Sequence, residues 1–212
     1  MNLDYLYWQY SAALPKHLVD DIINLGNSKK KSFAVTDVQS LSEEEKKLTK
    51  KEKEKIKEKR NSKIAWLSDK WLYELLFPYI YNANESAKWN FDVTWGENFQ
   101  YTEYGKGQYY HWHRDSFDVP FNNSENLNFH NKIRKLSMTV QLSDPDDYVG
   151  GEFEIATNDF EPGKDRKIVE VSEIKPKGSI LVFPSFLYHR IKPIKKGIRK
   201  SLVLWTVGRP FA

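Results

Sequence analysis

The sequence predicts a mainly β protein of α+β type, a jelly roll or related barrel flanked by helices gathered toward the N-terminus. Three observations carry this reading. From about Phe91 the apolar periodicity changes from helical spacing to alternation. Turn signals cut that half into short runs: Asp144-Pro145, Gly150-Gly151, Pro162-Gly163, Pro176 with Gly178, and Gly197. With 212 residues, 40% apolar and 15% aromatic, the chain suits one domain with a sizeable core. Residues 1–90 read as helical support and residues 91–212 as the jelly-roll core.

The first element is a short amphipathic helix from Pro15 to Leu25. Leu18, Val19, Ile22, Ile23 and Leu25 recur at three-to-four spacing, and Gly26 closes the run. His17 sits at its start and carries no functional role. Ser42 with Glu45 makes a capping box that opens a Glu/Lys segment over residues 43–60. That segment has only Leu48 and Ile56 as apolar residues, too few to bury a face, so it reads as a solvated, charged insertion. A second packed helix is expected from Asp69 to Asn82, striped by Trp71, Leu72, Leu75, Leu76 and Tyr79. An extended run follows from Phe99 to Trp112. Further on, Leu136, Met138, Val140 and Leu142 alternate with Ser137, Thr139, Gln141 and Ser143. Gly151 to Ala156, Lys167 to Ile174 and Gly178 to Phe183 are short and strand-like. Arg199, Ser201, Val203 and Trp205 then alternate with Lys200, Leu202, Leu204 and Thr206.

Composition removes several classes of function. With no cysteine there is no disulfide framework, thiol nucleophile, Cys-zinc site or Cys-held iron–sulfur cluster. No apolar run approaches the roughly 20 residues that span a bilayer. The segment Met1–Tyr10 is aromatic, holds Asp4 and lacks a basic leader region, so a cytoplasmic location is expected. The net charge of +4 does not mark a nucleic-acid surface. Residues 43–60 hold 9 basic and 6 acidic side chains, so most of the excess sits in one low-complexity stretch.

The chemistry gathers around three residues. His113 and Asp115 form an H-x-D pair after an extended run, and at i and i+2 on a strand both side chains face the same way. His189 ends another expected strand, beyond Phe183-Pro184. Two imidazoles and one carboxylate from separate strands make a facial triad with three open metal positions. Such a set suits non-haem Fe(II) and oxygen, with a His/His/Asp zinc hydrolase as the chemical competitor. Ten residues after His189 stands Arg199, on an alternating strand. A buried guanidinium there is costly unless it meets an anion, and it matches a carboxylate bidentately.

Three stretches resemble the prolyl-hydroxylase-like group of Fe(II)/2-oxoglutarate dioxygenases, particularly its PKHD-type members. They are Tyr104-Gly105-Lys106-Gly107 through Tyr110-His111-Trp112-His113-Arg114-Asp115, then Arg134-Lys135-Leu136-Ser137 through Asp144-Pro145 to Gly150-Gly151-Glu152, then Gly178 to Ser185 with His189, Pro193, Gly197 and Arg199. Arg60-Asn61-Ser62 with Trp66-Leu67 adds a fainter match. The resemblance implies a double-stranded β-helix that holds Fe(II) at His113, Asp115 and His189. It implies 2-oxoglutarate chelating the iron, with its distal carboxylate on Arg199, and Tyr104, Gln141 and Trp205 around that co-substrate. It further implies O2 as oxidant and ascorbate as reductant. The reaction so implied hydroxylates an unactivated C–H bond, with a peptidyl proline favoured, and releases succinate and CO2.

The loop from Ser116 to Lys132 mixes Phe117, Phe121 and Phe129 with five asparagines. It reads either as a lid over an extended substrate or as a surface loop whose phenylalanines pack down. Tyr110, Phe117 and Phe121 are the candidates for meeting a peptide, protein or small-molecule substrate. His111 is expected in the pocket wall or behind the ligands, and His130 in the loop. A small metabolite or a nucleic acid as substrate, or a non-catalytic barrel module, are the rival readings. The oligomeric state is not legible.

Overall fold

The computed structural model describes residues 3–34, 59–156 and 167–211. The capping box at Ser42, the charged segment up to residue 58 and the Pro162-Gly163 turn lie outside them. Helix α1 (Lys16–Ser28) buries Val19, Ile22 and Gly26 on one stripe. Gly26 does not end the helix as the sequence suggests. It sits inside α1 and lets the backbone lie flat on Tyr101, whose ring a Cβ would strike. Helix α2 (Lys70–Ser86) runs past the expected end at Asn82 and buries Leu72, Leu76, Ile80 and Ala83.

Residues 1–90 also hold strands that the sequence reading assigned to helical support: β1 (Trp8–Tyr10), β2 (Ser32–Phe33), β3 (Arg60–Asn61) and β4 (Lys63–Leu67). Runs of two to five residues are too short for alternation to register, and the partner strands define them. After these come β5 (Trp95–Gly96), β6 (Phe99–Tyr104), β7 (Tyr109–His113), β8 (Ile133–Gln141), β9 (Tyr148–Gly150) and β10 (Phe153–Ala156). The remainder are β11 (Ile168–Glu170), β12 (Ile180–Pro184), β13 (His189–Ile191), β14 (Ile194–Gly197) and β15 (Arg199–Gly208). Ser172–Ile174, expected to continue a strand, forms a 3-10 turn after β11.

The strands pair antiparallel in an eight-stranded sheet, β1-β12-β8-β15-β6-β4-β2 with β5 on β15, and a five-stranded sheet, β11-β10-β13-β7-β3. β9 and β14 form a separate pair. The run expected as one extended stretch from Phe99 to Trp112 is two strands in two sheets. A turn over Gly105 to Gln108, with Gly107 at φ 76°, carries the chain across.

Alternation decides which face goes where. Leu136, Met138, Val140 and Leu142 of the β8 region join Leu202 and Leu204 of β15 in a core with Val19, Ile22, Leu72 and Leu76. Both helices therefore cover the outer face of the larger sheet, as the sequence reading required. Each such side chain contributes roughly 1.5–3 kcal/mol of burial. A second core lies between the sheets, where Tyr104, Leu181 and Phe183 meet Phe153, Ile155 and Ile191. Ser137 and Thr139 of β8 and Arg199 and Ser201 of β15, on the opposite parity, face inward toward Asp115 and the space beside this second core.

Candidate metal and co-substrate site

His113 ends β7 and His189 begins β13, and the two are directly opposite each other in the antiparallel ladder. Residues 76 positions apart in sequence are thus cross-strand neighbours, with ring centroids 4.1 Å apart. Each ring is aimed by a backbone carbonyl. His113 Nδ1 donates to the His111 carbonyl at 2.7 Å, and His189 Nδ1 to the Leu187 carbonyl at 3.0 Å. A carbonyl only accepts, so the proton resides on Nδ1 and Nε2 keeps its lone pair. Asp115 Oδ1 lies 3.6 Å from His113 Nε2, and Oδ2 lies 3.4 Å from His189 Nε2. One ligand atom from each of the three residues falls within 4.8 Å of the others. Two imidazoles presenting Nε2 and a carboxylate at this spacing fit one small divalent ion.

The carboxylate is fixed from behind. The Asp115 and Ser116 N–H groups both donate to the Ser185 carbonyl at 2.9 Å. Ser137 Oγ donates to Asp115 Oδ2 at 2.7 Å and lies 2.9 Å from Ser185 Oγ. Arg134 reaches the Asp115 carbonyl at 3.3 Å while forking onto Glu97 at 2.5 and 2.8 Å. Burial, then the neighbouring His189, holds the His113 imidazole well below its usual pKa. Burial pushes the Asp115 carboxyl up, but His189, His113, Arg134 and the Ser137 hydrogen bond outweigh it and lower its pKa. At neutral pH, His113 is neutral and Asp115 ionised, the states that bind a metal.

These three residues line a cavity that is open at its mouth. Arg199, at the start of β15 and paired in register with Tyr104 of β6, lines it too. Arg199 is 2% exposed, and the one hydrogen bond of its guanidinium among the described residues is a long 3.5 Å contact with Ser201 Oγ. A buried guanidinium with no carboxylate beside it among the described residues is a receptor for one. Its fork fits the far end of a dicarboxylate whose other end chelates a metal at the triad.

The other expected residues divide. Tyr104 and Trp205 line the cavity. Tyr110 does as well, stacked on His113 at 3.4 Å between ring centroids. Gln141 does not line it. Its Nε2 donates to Tyr148 Oη at 2.8 Å, and it borders a smaller cavity behind Arg199. Phe117 and Phe121 do not line the cavity either. They form an edge-to-face chain with Phe129, at 5.9 and 5.7 Å, within a loop whose Phe121 exchanges backbone hydrogen bonds with Asn131 and Lys132. His111 is exposed and serves through its carbonyl.

Sequence reasoning missed Arg60 and Gln100, which also line the cavity. Arg60 was absorbed into the charged run that precedes it. The sequence marked it only through the faint family match at Arg60-Asn61-Ser62, which assigned it no role. It also missed Ser185, whose role depends on β12 lying beside β8.

Comparison with known proteins agrees with the geometry. A PKHD-type hydroxylase of Pseudoalteromonas atlantica is 31% identical over 108 residues, covering 50% of this chain and 41% of the relative. The chain spans less than half the length of the curated relatives it matches. The viral collagen prolyl hydroxylase of Paramecium Bursaria Chlorella virus-1, solved with 2OG, superposes with a TM-score of 0.61 at 20% identity, over 97% of each chain. A Trichoplax adhaerens prolyl hydroxylase, solved with a hypoxia inducible factor oxygen degradation domain peptide fragment, superposes with a TM-score of 0.55 at 17% identity, covering 96% of this chain and 84% of that one. The family model of the 2OG-Fe(II) oxygenase superfamily matches residues 99–207. That match runs from β6 to β15 and takes in the triad and Arg199 together, so the chain belongs to the 2OG-Fe(II) oxygenase superfamily.

Proposed function

We propose that this chain is an Fe(II)- and 2-oxoglutarate-dependent dioxygenase that hydroxylates an unactivated C–H bond of a peptide or protein, with a prolyl residue as target. Succinate and CO2 are the co-products, and ascorbate serves as the reductant that keeps the metal ferrous. The observation that carries the reading is the presence in one cavity of the triad and of a buried Arg199 that meets no carboxylate among the described residues. The prolyl target draws on the names of the PKHD-type relatives and the prolyl hydroxylase neighbours.

His113, Asp115 and His189 hold the metal in this reading, and Arg199 receives the distal carboxylate of 2-oxoglutarate. Bound iron with its keto-acid partner supplies the oxidising chemistry. Tyr104 and Trp205 wall the co-substrate, and Tyr110 forms the substrate side of the pocket. Gln141 acts through Tyr148 and the small cavity behind Arg199. Phe117 and Phe121 lie in the loop that an extended substrate would cross. Residues 91–212 are the catalytic core and residues 1–90 brace it.

The test is anaerobic addition of 2-oxoglutarate to the Fe(II)-loaded protein, followed by visible spectroscopy. A metal-to-ligand charge-transfer band is expected. Arg199→Ala should weaken 2-oxoglutarate binding by about 10- to 100-fold, the worth of a charge-assisted fork. His113→Ala should abolish iron retention. A folded, metal-loaded protein that binds no 2-oxoglutarate would overturn the reading. Mass spectrometry of peptides incubated with iron, ascorbate and 2-oxoglutarate then shows whether oxygen is added at proline.

A further inference from the structure

The cavity wall carries a second guanidinium that the triad and the co-substrate leave unused. Arg60, on β3, is 5% exposed and lines the same cavity as Arg199. Its partners are neutral: Nε donates to Ser62 Oγ at 3.0 Å and Nη2 to Gln100 Oε1 at 2.6 Å. Nη1 makes no hydrogen bond among the described residues. The guanidinium lies 4.5 Å from the centroid of the Tyr110 ring, which stacks on His113, so it stands one ring away from a metal ligand.

Charge counting gives this position meaning. Among the described residues lining the cavity, Asp115 is the only carboxylate, set against Arg60 and Arg199. The nearby Arg134 is already neutralised by Glu97. A ferrous ion and a doubly charged 2-oxoglutarate cancel each other. The loaded pocket is then left with two guanidiniums and one carboxylate, an excess of one positive charge. Arg199 is accounted for by the co-substrate, so the surplus resides at Arg60. A buried cation with only neutral acceptors is expensive, and an incoming anion removes that cost.

We propose that Arg60 is a substrate-selecting anion receptor, and that the substrate of this protein carries a carboxylate beside the C–H bond to be oxidised. The inference rests on the dioxygenase reading and bears on its substrate class: a peptide ending at the target residue narrows the peptide substrate proposed above, whereas a free imino or amino acid replaces it. The carboxylate can come from a free imino or amino acid, or from a peptide that ends at the target residue.

Isothermal titration of the anaerobic protein, loaded with Fe(II) and 2-oxoglutarate, separates these sources. The probes are L-proline against L-prolinamide, and an acetylated peptide ending in a prolyl carboxylate against its C-terminal amide. In at least one pair the carboxylate should bind about 10- to 100-fold more tightly, the range of a charge-assisted hydrogen bond. The pair that shows the preference names the source. Arg60→Gln should erase the preference. So should Gln100→Glu, a nearly isosteric change that gives Arg60 a resident carboxylate and guards against misfolding of the first variant. Equal affinity within both pairs, including no binding by any probe, overturns the proposal, as does a preference that survives both substitutions. Binding of 2-oxoglutarate, titrated first, separates the two failures. Its loss in the unmodified protein sinks the dioxygenase reading and this inference with it, whereas its retention without carboxylate preference sinks this inference alone.

Discussion

At the scale of single residues, the site is governed by what stands behind each ligand. Ser137 touches no metal position, yet its hydroxyl holds Asp115 Oδ2 at 2.7 Å and bridges to Ser185. Removing such a partner frees the carboxylate to rotate and typically costs 10- to 100-fold in metal affinity. Ser137→Ala is therefore expected to weaken Fe(II) binding by about that factor, measured by competition with a chromogenic chelator, while the denaturation midpoint stays nearly unchanged. The triad was legible as an H-x-D pair with a distant histidine, although Asp115 lies just beyond the end of β7 and His189 begins β13 rather than ending a strand as expected. Ser137 was legible as an inward-facing residue from the alternation of β8. Ser185 and Arg60 were not, because each acquires its role from a strand partner distant in sequence.

The elements show where local pattern suffices and where it does not. The alternations of β8 and β15 were readable because nine- and ten-residue strands give periodicity room to register. The short strands β1 to β4 were not, and Gly26 was read as a stop because glycine often ends helices. Its function is close approach instead. In a solvent-facing helix, Gly→Ala stabilises by about 1 kcal/mol. In α1 the added methyl would strike the Tyr101 ring, so Gly26→Ala is expected to destabilise by roughly 1–3 kcal/mol. Urea unfolding of the variant checks the sign. The loop from Ser116 to Lys132 held two readings open at the sequence level. Its phenylalanines pack on one another, an arrangement that composition alone does not distinguish from a lid.

Across the whole molecule, the buried ligand set couples stability to pH. His113 is held well below its ordinary value of 6.5 by burial and by His189. The folded chain therefore binds fewer protons at this ring than the unfolded chain does, and stability rises with pH through that window. For the metal-free protein, stability should be complete above about pH 6.5 and fall below it, by at most about 1.4 kcal/mol per pH unit from this group. Asp115, whose pKa is also lowered, adds to the loss only at more acid pH. Denaturant midpoints at pH 7.5 and 5.5 measure the slope, which His113→Gln should flatten. Among the described residues no helix is long and apolar enough to cross a membrane.

The passage of the chain from one sheet to the other at Gly105 to Gln108 has a final consequence. The tyrosine paired with Arg199 and the histidine facing His189 are placed on opposite walls, each locked in its own ladder. Neither wall slides without breaking a row of backbone hydrogen bonds, so the span between guanidinium and metal donors is a fixed gauge. On the dioxygenase reading, the fold then measures the carbon count of the diacid it accepts, and a homologue one methylene shorter or longer meets one end of that gauge but not both.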